Sequence, residues 1–380
     1  MADAARKPGM TVDVVTETEA LLDLRLEWQH LYETADAEIF MAWDWQLSWW
    51  RHLGGSRQLF VLVARDAGGC ARGLLPLSLE TVRVGLRRLH RLRFMGDDRV
   101  GSDYLDALIE PGWDKAVVPA FARLLTARNP SWDLLELRDM DEHSSTARRL
   151  CDALGDGYKL HSTPGLMCPA GDLNPEQSPE EFLSQCGRSD NYARRRKWLT
   201  SQPDFRIDLC QDPTTLAPAL NDFFRLHRLR WAKAGGSLGI VGAAVETFHR
   251  EALMALSSSG HVRLYTLWVQ GSAVASVYAL TRGKTFYYYQ SGMDPAWRSR
   301  SVGLVLIGET FSDALRSGFT RYDFLRGEEG YKADWVDGGR RLVSHRLFPR
   351  HGSGARAVGD DALLHKGKQF IKRFLPVHMH

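Results

Sequence analysis

The chain is short of several things that would narrow its function class. No stretch approaches the ~20 consecutive apolar residues that a bilayer-spanning helix needs. The opening residues, MADAARKPGMTVDVV, hold no apolar core of signal-peptide length. The five cysteines (Cys70, Cys151, Cys168, Cys186, Cys210) are odd in number, scattered and without C-x-x-C spacing. They form neither a zinc set nor a disulfide framework, which fits a reducing compartment. His378 and His380 are too few and too terminal to define a metal site, so no metal is expected. Charge of one sign is scarce: 49 basic against 46 acidic side chains leave +3, too little to argue for nucleic acid by itself. There is no exact short repeat. A soluble, cytoplasmic protein is the expectation.

What is present is a globular composition, with 44% hydrophobic and 25% charged residues and 12 Trp among 380 residues. That length suits two domains. In the first half TVDVVTE, LFVLVARD, GLLPLSLETVRV and Trp132–Leu137 read as strands, and Glu19–Thr34 and Trp113–Thr126 as helices. Prolines and glycines between 160 and 178 mark a boundary. Ser178-Pro179-Glu180-Glu181 then opens a helix, with Ser as N-cap, Pro in the first turn and Glu at the capping-box position. The expected division is 1–165, 166–349 and a basic tail, 350–380. The fold class expected is α/β (α+β), each half a mixed, mostly antiparallel sheet flanked by helices.

The second half carries the chemistry. A long helix runs to about Lys233, with Leu216, Leu220, Phe223, His227 and Trp231 on one stripe and Gly235-Gly236 as its stop. Three strands follow, Arg263–Val269, Ala273–Thr281 and Thr285–Met293, joined at Gln270-Gly271 and Arg282-Gly283. Then come a polar loop, Asp294–Gly303, a helix closed by Gly318, and a buried strand, Tyr322–Leu325. The loop residues Arg298, Ser299, Arg300, Ser301, Val302 and Gly303 put cationic and small side chains directly before a helix. A helix N-terminus offers unpaired N–H groups and a partial positive charge, which suits a pyrophosphate.

Arg298–Gly303 resembles the pyrophosphate loop of GNAT acyltransferases, R/Q-x-x-G-x-G/A, with Ser301 where the first Gly is usual. YYYQSGMDPAW before it, YDFLRGEEGYKADW after it and LHRLRW at 226–231 look like the CelD/BcsL-type branch, related to the FemAB peptidoglycan aminoacyltransferases. In the first half LRFMG, Asp103-Tyr104-Leu105-Asp106 and Trp132–Leu137 extend the resemblance. It implies two tandem GNAT-like domains, the second with an acyl-CoA (acetyl-CoA) site. The matching stretch of the first half, Gly96-Asp97-Asp98-Arg99-Val100-Gly101, holds two carboxylates that would repel a pyrophosphate. The first half is therefore expected to shape the acceptor site.

On this resemblance Tyr289, Gln290 and Ser291 line the donor cleft. Tyr331 protonates the leaving thiolate, the alternative being a packing aromatic beside Trp335. Lys332 faces the reacting carbonyl and stabilises an oxyanion, or is an exposed lysine. Glu328 or Glu329 acts as general base, or both are solvated loop charges. His227 is a base or a hydrogen-bonded core histidine. Asp323, in a buried strand, needs a partner, for which Arg326 is a candidate. The run Arg194–Lys197, with Arg188, is a solvated helix face or a patch for an anionic acceptor or tRNA. The tail, with Leu364, Phe370, Ile371 and Phe374, docks on its own domain or on a membrane surface.

The function expected is transfer of an acyl group from acyl-CoA to an amine or hydroxyl of a small-molecule or saccharide-type acceptor by direct attack. The rivals are a FemAB-like aminoacyltransferase using aminoacyl-tRNA and a non-catalytic GNAT-like binding protein.

Overall fold

The structure, a computed structural model, describes residues 9–84, 87–97, 100–127, 132–232 and 240–359. Asp98, Arg99, Lys233, Gly235, Gly236 and the tail residues named above lie outside them. The first half contributes β1 (Thr11–Val15), β2 (Gln58–Arg65), β3 (Ala71–Val84), β4 (Arg87–Phe94), β5 (Leu108–Ile109), β6 (Leu134–Asp141) and β7 (Tyr158–Asp172). The second contributes β8 (Arg206–Cys210), β9 (Val262–Val269), β10 (Ser272–Arg282), β11 (Thr285–Met293), β12 (Arg321–Asp323) and β13 (Gly338–Pro349). Helices α1 (Thr18–Asp23), α2 (Arg25–Thr34), α3 (Trp43–Leu53), α4 (Asp114–Ala127) and α5 (Thr146–Leu154) belong to the first half. Helices α6 (Pro179–Gln185), α7 (Ser189–Thr200), α8 (Pro213–Ala232), α9 (Ala243–Ser258) and α10 (Val302–Arg316) belong to the second.

The strands form one mixed, mostly antiparallel sheet flanked by helices, in the order β1-β2-β3-β4-β6-β13-β7-β12-β11-β10-β9-β8, with β5 beside β3. Each half repeats one pattern. Strands β1 to β4 are antiparallel neighbours and β4 pairs parallel with β6. Strands β8 to β11 are likewise antiparallel and β11 pairs parallel with β12. The last strand of each half then crosses over: β13 lies against β6 of the first half, and β7 against β12 of the second. The two exchanged strands pair with each other from Gly338↔Ala170 to Pro349↔Tyr158.

The segment 160–178, marked as a boundary by its prolines and glycines, holds most of β7, so residues 165 and 166 fall inside a strand. Pro164 is tolerated because β12 covers only Ala170–Asp172, leaving that side of the strand without a partner strand at Pro164. The register also shifts there, Arg341 facing Met167 and Val343 facing Pro164. The sequence-level expectation is met at α6: Ser178 caps it, its hydroxyl accepting from Glu181 N–H at 3.1 Å, with Pro179 in the first turn.

Two large apolar clusters occupy the faces of the second half. Helix α10 packs with α6 and α7 over β9–β11, through Val305, Leu306, Phe311 and Tyr322. Helices α8 and α9 pack on the opposite face and join the core of the first half, Leu220, Phe223 and Phe248 being continuous with Phe40 and Trp45. His249 sits in this seam, between Trp45 (6.0 Å), Phe248 (4.7 Å), Tyr278 (5.8 Å) and Tyr289 (5.6 Å). Neither of its ring nitrogens has a hydrogen-bond partner among the described residues. Burial, then the nearby His227, push its pKa down to about 3.

A histidine depressed in this way binds a proton in the unfolded chain that the fold refuses. Its contribution is whole above its unfolded pKa and lost as pH falls below it. Urea unfolding at pH 7 and pH 5 should therefore show ~2 kcal/mol of acid destabilisation in the wild type that His249→Leu lacks. Equal losses in both proteins would contradict the neutral, unpartnered state of His249.

Candidate active site

Strands β11 and β12 run parallel only while Thr285–Tyr287 faces Arg321–Asp323, and then part. Beyond Asp323 the chain turns through Leu325, whose φ is 55°. It then follows β7, with Phe324 N–H on Pro169 O (2.8 Å) and Gly327 N–H on Met167 O (3.1 Å). Strand β11 continues to Met293 and carries a bulge against β10: Tyr278 faces Gln290 while Ala279 faces Tyr288, leaving Tyr289 as the extra residue. Bulges of this kind re-aim side chains beside functional sites. A cavity of about 310 Å³ lies next to the resulting wedge, walled by β10, β11, the start of α10, Tyr331 and Trp335.

One end of the cavity is the loop before α10. Asp294 caps the short turn Pro295–Arg300, its carboxylate accepting from Ala296 N–H. Ser301, at the N-cap of α10, has φ 56° and makes no side-chain cap. The first helical bond from this end is Val305 N–H to Ser301 O (3.2 Å), so the amides of 302–304 have no intrahelical acceptor. Arg298, Ser301 and Gly303 line the cavity, whereas Val302 is fully buried in the core. Ser299 and Arg300 are not among the lining residues; the Arg300 guanidinium lies 4.1 Å from the Trp198 ring of α7. Arg188, also in the lining, pairs with Asp334 at 2.6 Å.

The sheet side of the cavity carries Tyr288, Ser291 and Gly292, with Arg230 reaching in from the last turn of α8. Strand alternation and the bulge split the three tyrosines. Tyr288 faces the cavity, while Tyr287 and Tyr289 face the seam, where their hydroxyls donate to Glu38 and to Val100 O. The Arg230 guanidinium donates to Ser291 Oγ. Desolvation, opposed by Arg230, pushes the Tyr331 and Tyr288 phenols above their ordinary range. Gly292 lets α8 come this close: a Cβ there would lie 2.3 Å from His227 N.

The other candidates fall outside the cavity lining. His227 is 1% exposed, packs against Phe223 and bonds the Gln290 side chain; burial and then Arg230 lower its pKa to about 4. Lys332 is 3% exposed, not an exposed lysine. Its ammonium is ringed by the carbonyls of Phe324, Leu325, Arg326 and Gly327 at 3.1–3.4 Å and by Glu329 at 2.9 Å. It pins the turn that forms the second edge of the wedge, and its donors are taken. Glu328 accepts from Met167 N–H (3.4 Å). Among the described residues no group of His, Cys, Asp or Glu is placed to hold a metal ion.

A buried ionic lattice at the apex of the wedge was not legible from the sequence. Asp323 pairs with Arg340 (3.1 Å) and accepts from Tyr104 Oη (2.9 Å) and Leu325 N–H (2.8 Å). Its partner is not Arg326, because the left-handed turn at Leu325 carries that side chain to Asp103 and Asp139. Arg340 also holds Glu38 and Asp141 at 2.6 and 2.9 Å and stacks 3.7 Å from the Tyr104 ring. Burial, opposed first by Arg340, raises the Asp323 pKa to about 6. Tyr104, Asp139 and Leu325 all have positive φ. Such strain collects where function over-determines the backbone. In the first half's counterpart to the loop before α10, Asp97 is 1% exposed and bound by Arg93 at 2.7 Å.

Similar arrangements are known. Residues 187–333 match the family model for the acetyltransferase (GNAT) domain. Most of the fold is shared with solved structures at low identity. FemX aligns at a TM-score of 0.58 and 11% identity, over 85% of this chain and 96% of that one. L-PGS from Bacillus licheniformis aligns at 0.52 and 12%, over 84% of this chain and 90% of that one. A search of the curated proteins gave no match. A segment of the chain thus resembles the acetyltransferase (GNAT) domain, within a fold like that of FemX.

Two substitutions test this local architecture. Gly292→Ala, forced against backbone that cannot yield cheaply, should cost ~1–3 kcal/mol in denaturant unfolding. Ser301→Gly should instead raise stability by up to ~1 kcal/mol by relieving a left-handed, side-chain-bearing position, seen as a higher melting temperature.

Proposed function

We propose that the protein transfers an acyl group, acetyl in the simplest case, from acyl-CoA to an amine or hydroxyl of a small-molecule or saccharide-type acceptor. The observation that carries this reading is the wedge: a strand parts from its parallel neighbour beside a cavity whose far end is a cationic loop and an uncapped helix N-terminus. The GNAT match over the same residues supports it. The unpaired amides of 302–304 and Arg298 take the diphosphate, and the free edge of β11 from Tyr288 onward takes the pantetheine amides. Ser291 lines this path, with Ser299 and Arg300 at its solvent end.

The acceptor N–H or O–H attacks the thioester carbonyl, a C–N or C–O bond forms, and collapse breaks the C–S bond. The thiolate takes its proton from Tyr331, whose phenol is held protonated by its surroundings. The acceptor proton leaves to water or to the exposed Glu329 or Glu328. Lys332 serves by fixing the turn; His227, neutral above about pH 4, orients Gln290. The first half closes the acceptor side of the seam.

A second reading, transfer from aminoacyl-tRNA, is favoured by the likeness in fold to FemX and by the basic face of α7. Calorimetry with acetyl-CoA and with aminoacyl-tRNA at two salt concentrations separates the two. Acetyl-CoA should bind in the micromolar range, and Arg298→Glu should weaken it at least ~10-fold. Tyr331→Phe should slow thiol release ~100-fold while leaving that affinity unchanged. No binding of CoA, together with steeply salt-dependent binding of tRNA, selects the second reading.

A further inference from the structure

The cavity has a second cationic pole that the donor phosphates do not explain. Among the described residues its lining holds three arginines and no carboxylate. Arg298 is exposed and hydrated, and Arg188 has Asp334. Arg230 differs from both. It is half-buried, cannot give up its proton, and among the described residues no carboxylate lies within ion-pair distance of it. Among the described residues its side-chain hydrogen bond goes to the neutral Ser291 Oγ, the Tyr288 and Tyr331 phenols line the same cavity within reach of its charge, and the face of Trp231 lies at 5.1 Å. The neighbouring residues 233–239, KAGGSLG, contain no Asp or Glu. A cation withdrawn from water without a counter-charge is costly, so the counter-charge is expected to come with a ligand.

We propose that Arg230, with Ser291 and the two phenols, forms a carboxylate-binding subsite at the sheet end of the cavity. One guanidinium balances one negative charge and presents a planar fork that matches two carboxylate oxygens. A phosphate monoester, a dianion, would call for a second cation here. Tyr331 borders this subsite, so the carboxylate belongs to a group held next to the reacting carbon. It is carried either on the acyl chain, as in a dicarboxylic acyl thioester, or on an acidic acceptor. Arg230 thereby sets which of these the protein accepts. The inference rests on the donor reading above for the word "acyl", but not for the anion site itself.

The test uses the full chain and its Arg230→Gln and Arg230→Lys variants, each checked for a wild-type melting profile. Calorimetry compares butyryl-CoA with succinyl-CoA, which differ chiefly by a carboxylate, and then glucose with glucuronate, both on the protein alone and on the CoA-saturated protein. Tighter binding of succinyl-CoA by tenfold or more, abolished in Arg230→Gln and partly kept in Arg230→Lys, places the carboxylate on the acyl chain. Equal thioesters, with glucuronate preferred over glucose in an Arg230-dependent way, place it on the acceptor. No carboxylate preference in either arm, or one that Arg230→Gln leaves intact, overturns the subsite. Failure of every CoA thioester to bind overturns the donor reading instead, and the glucuronate arm on the protein alone then decides the subsite.

Discussion

The exchange of β7 and β13 is the constraint on which the rest of this molecule depends. Each half ends its own α/β pattern with a strand that completes the other half's sheet, so there is one continuous sheet and one seam rather than two cores in contact. The seam brings Asp103, Tyr104 and Asp139 of the first half against Asp323, Arg326 and Arg340 of the second. Charges in such numbers are tolerated out of water only because each has several partners. Arg340 alone holds three carboxylates and a ring face. The left-handed residues at this point lie among the same contacts, and the turn at Leu325 carries the chain away from β11 and so opens the wedge.

The cavity beside that wedge is electrostatically one-sided. Its cations come from three separate elements, the start of α7, the last turn of α8 and the loop before α10, and the rest of its described lining is uncharged. An anionic ligand entering it would leave water for a site whose cations are already in place. Lys332 completes the design from behind. By occupying its ammonium with four carbonyls of the turn, it fixes the far edge of the wedge without adding a charge to the cavity.

Much of the second half was legible in the sequence, because β9, β10, β11 and α10 each carry an unambiguous period and the three strands are joined by Gly-bearing turns. The loop before α10 was legible for the same reason: its small and basic residues stand between a clear strand and a clear helix. Other features were hidden by physics that acts only in three dimensions. Strand β7 was masked by Pro164 and Pro169, which read as breakers until the partly open edge of that strand is known. Which tyrosine of 287–289 faces the cavity depends on a bulge, and no composition rule predicts a single inserted residue. Arg230 was one basic residue among several in LHRLRW. Its importance comes from Gly292, which lets the helix backbone approach the strand. Lys332 could not be told from a solvent lysine, since its partners are backbone carbonyls.

The crossed strands also bear on how the chain acquires its shape. A ribosome releases the first half long before Gly338–Pro349, yet strand β6 has no lasting neighbour on its outer side until that segment arrives. The first half therefore waits, with an open hydrogen-bonding edge, for β13 of the second half to be made. Contacts separated by some two hundred positions in sequence close last and slowly. Loss of only the β13 segment would thus injure the half of the protein farthest from it in sequence, making the two halves one unit of folding.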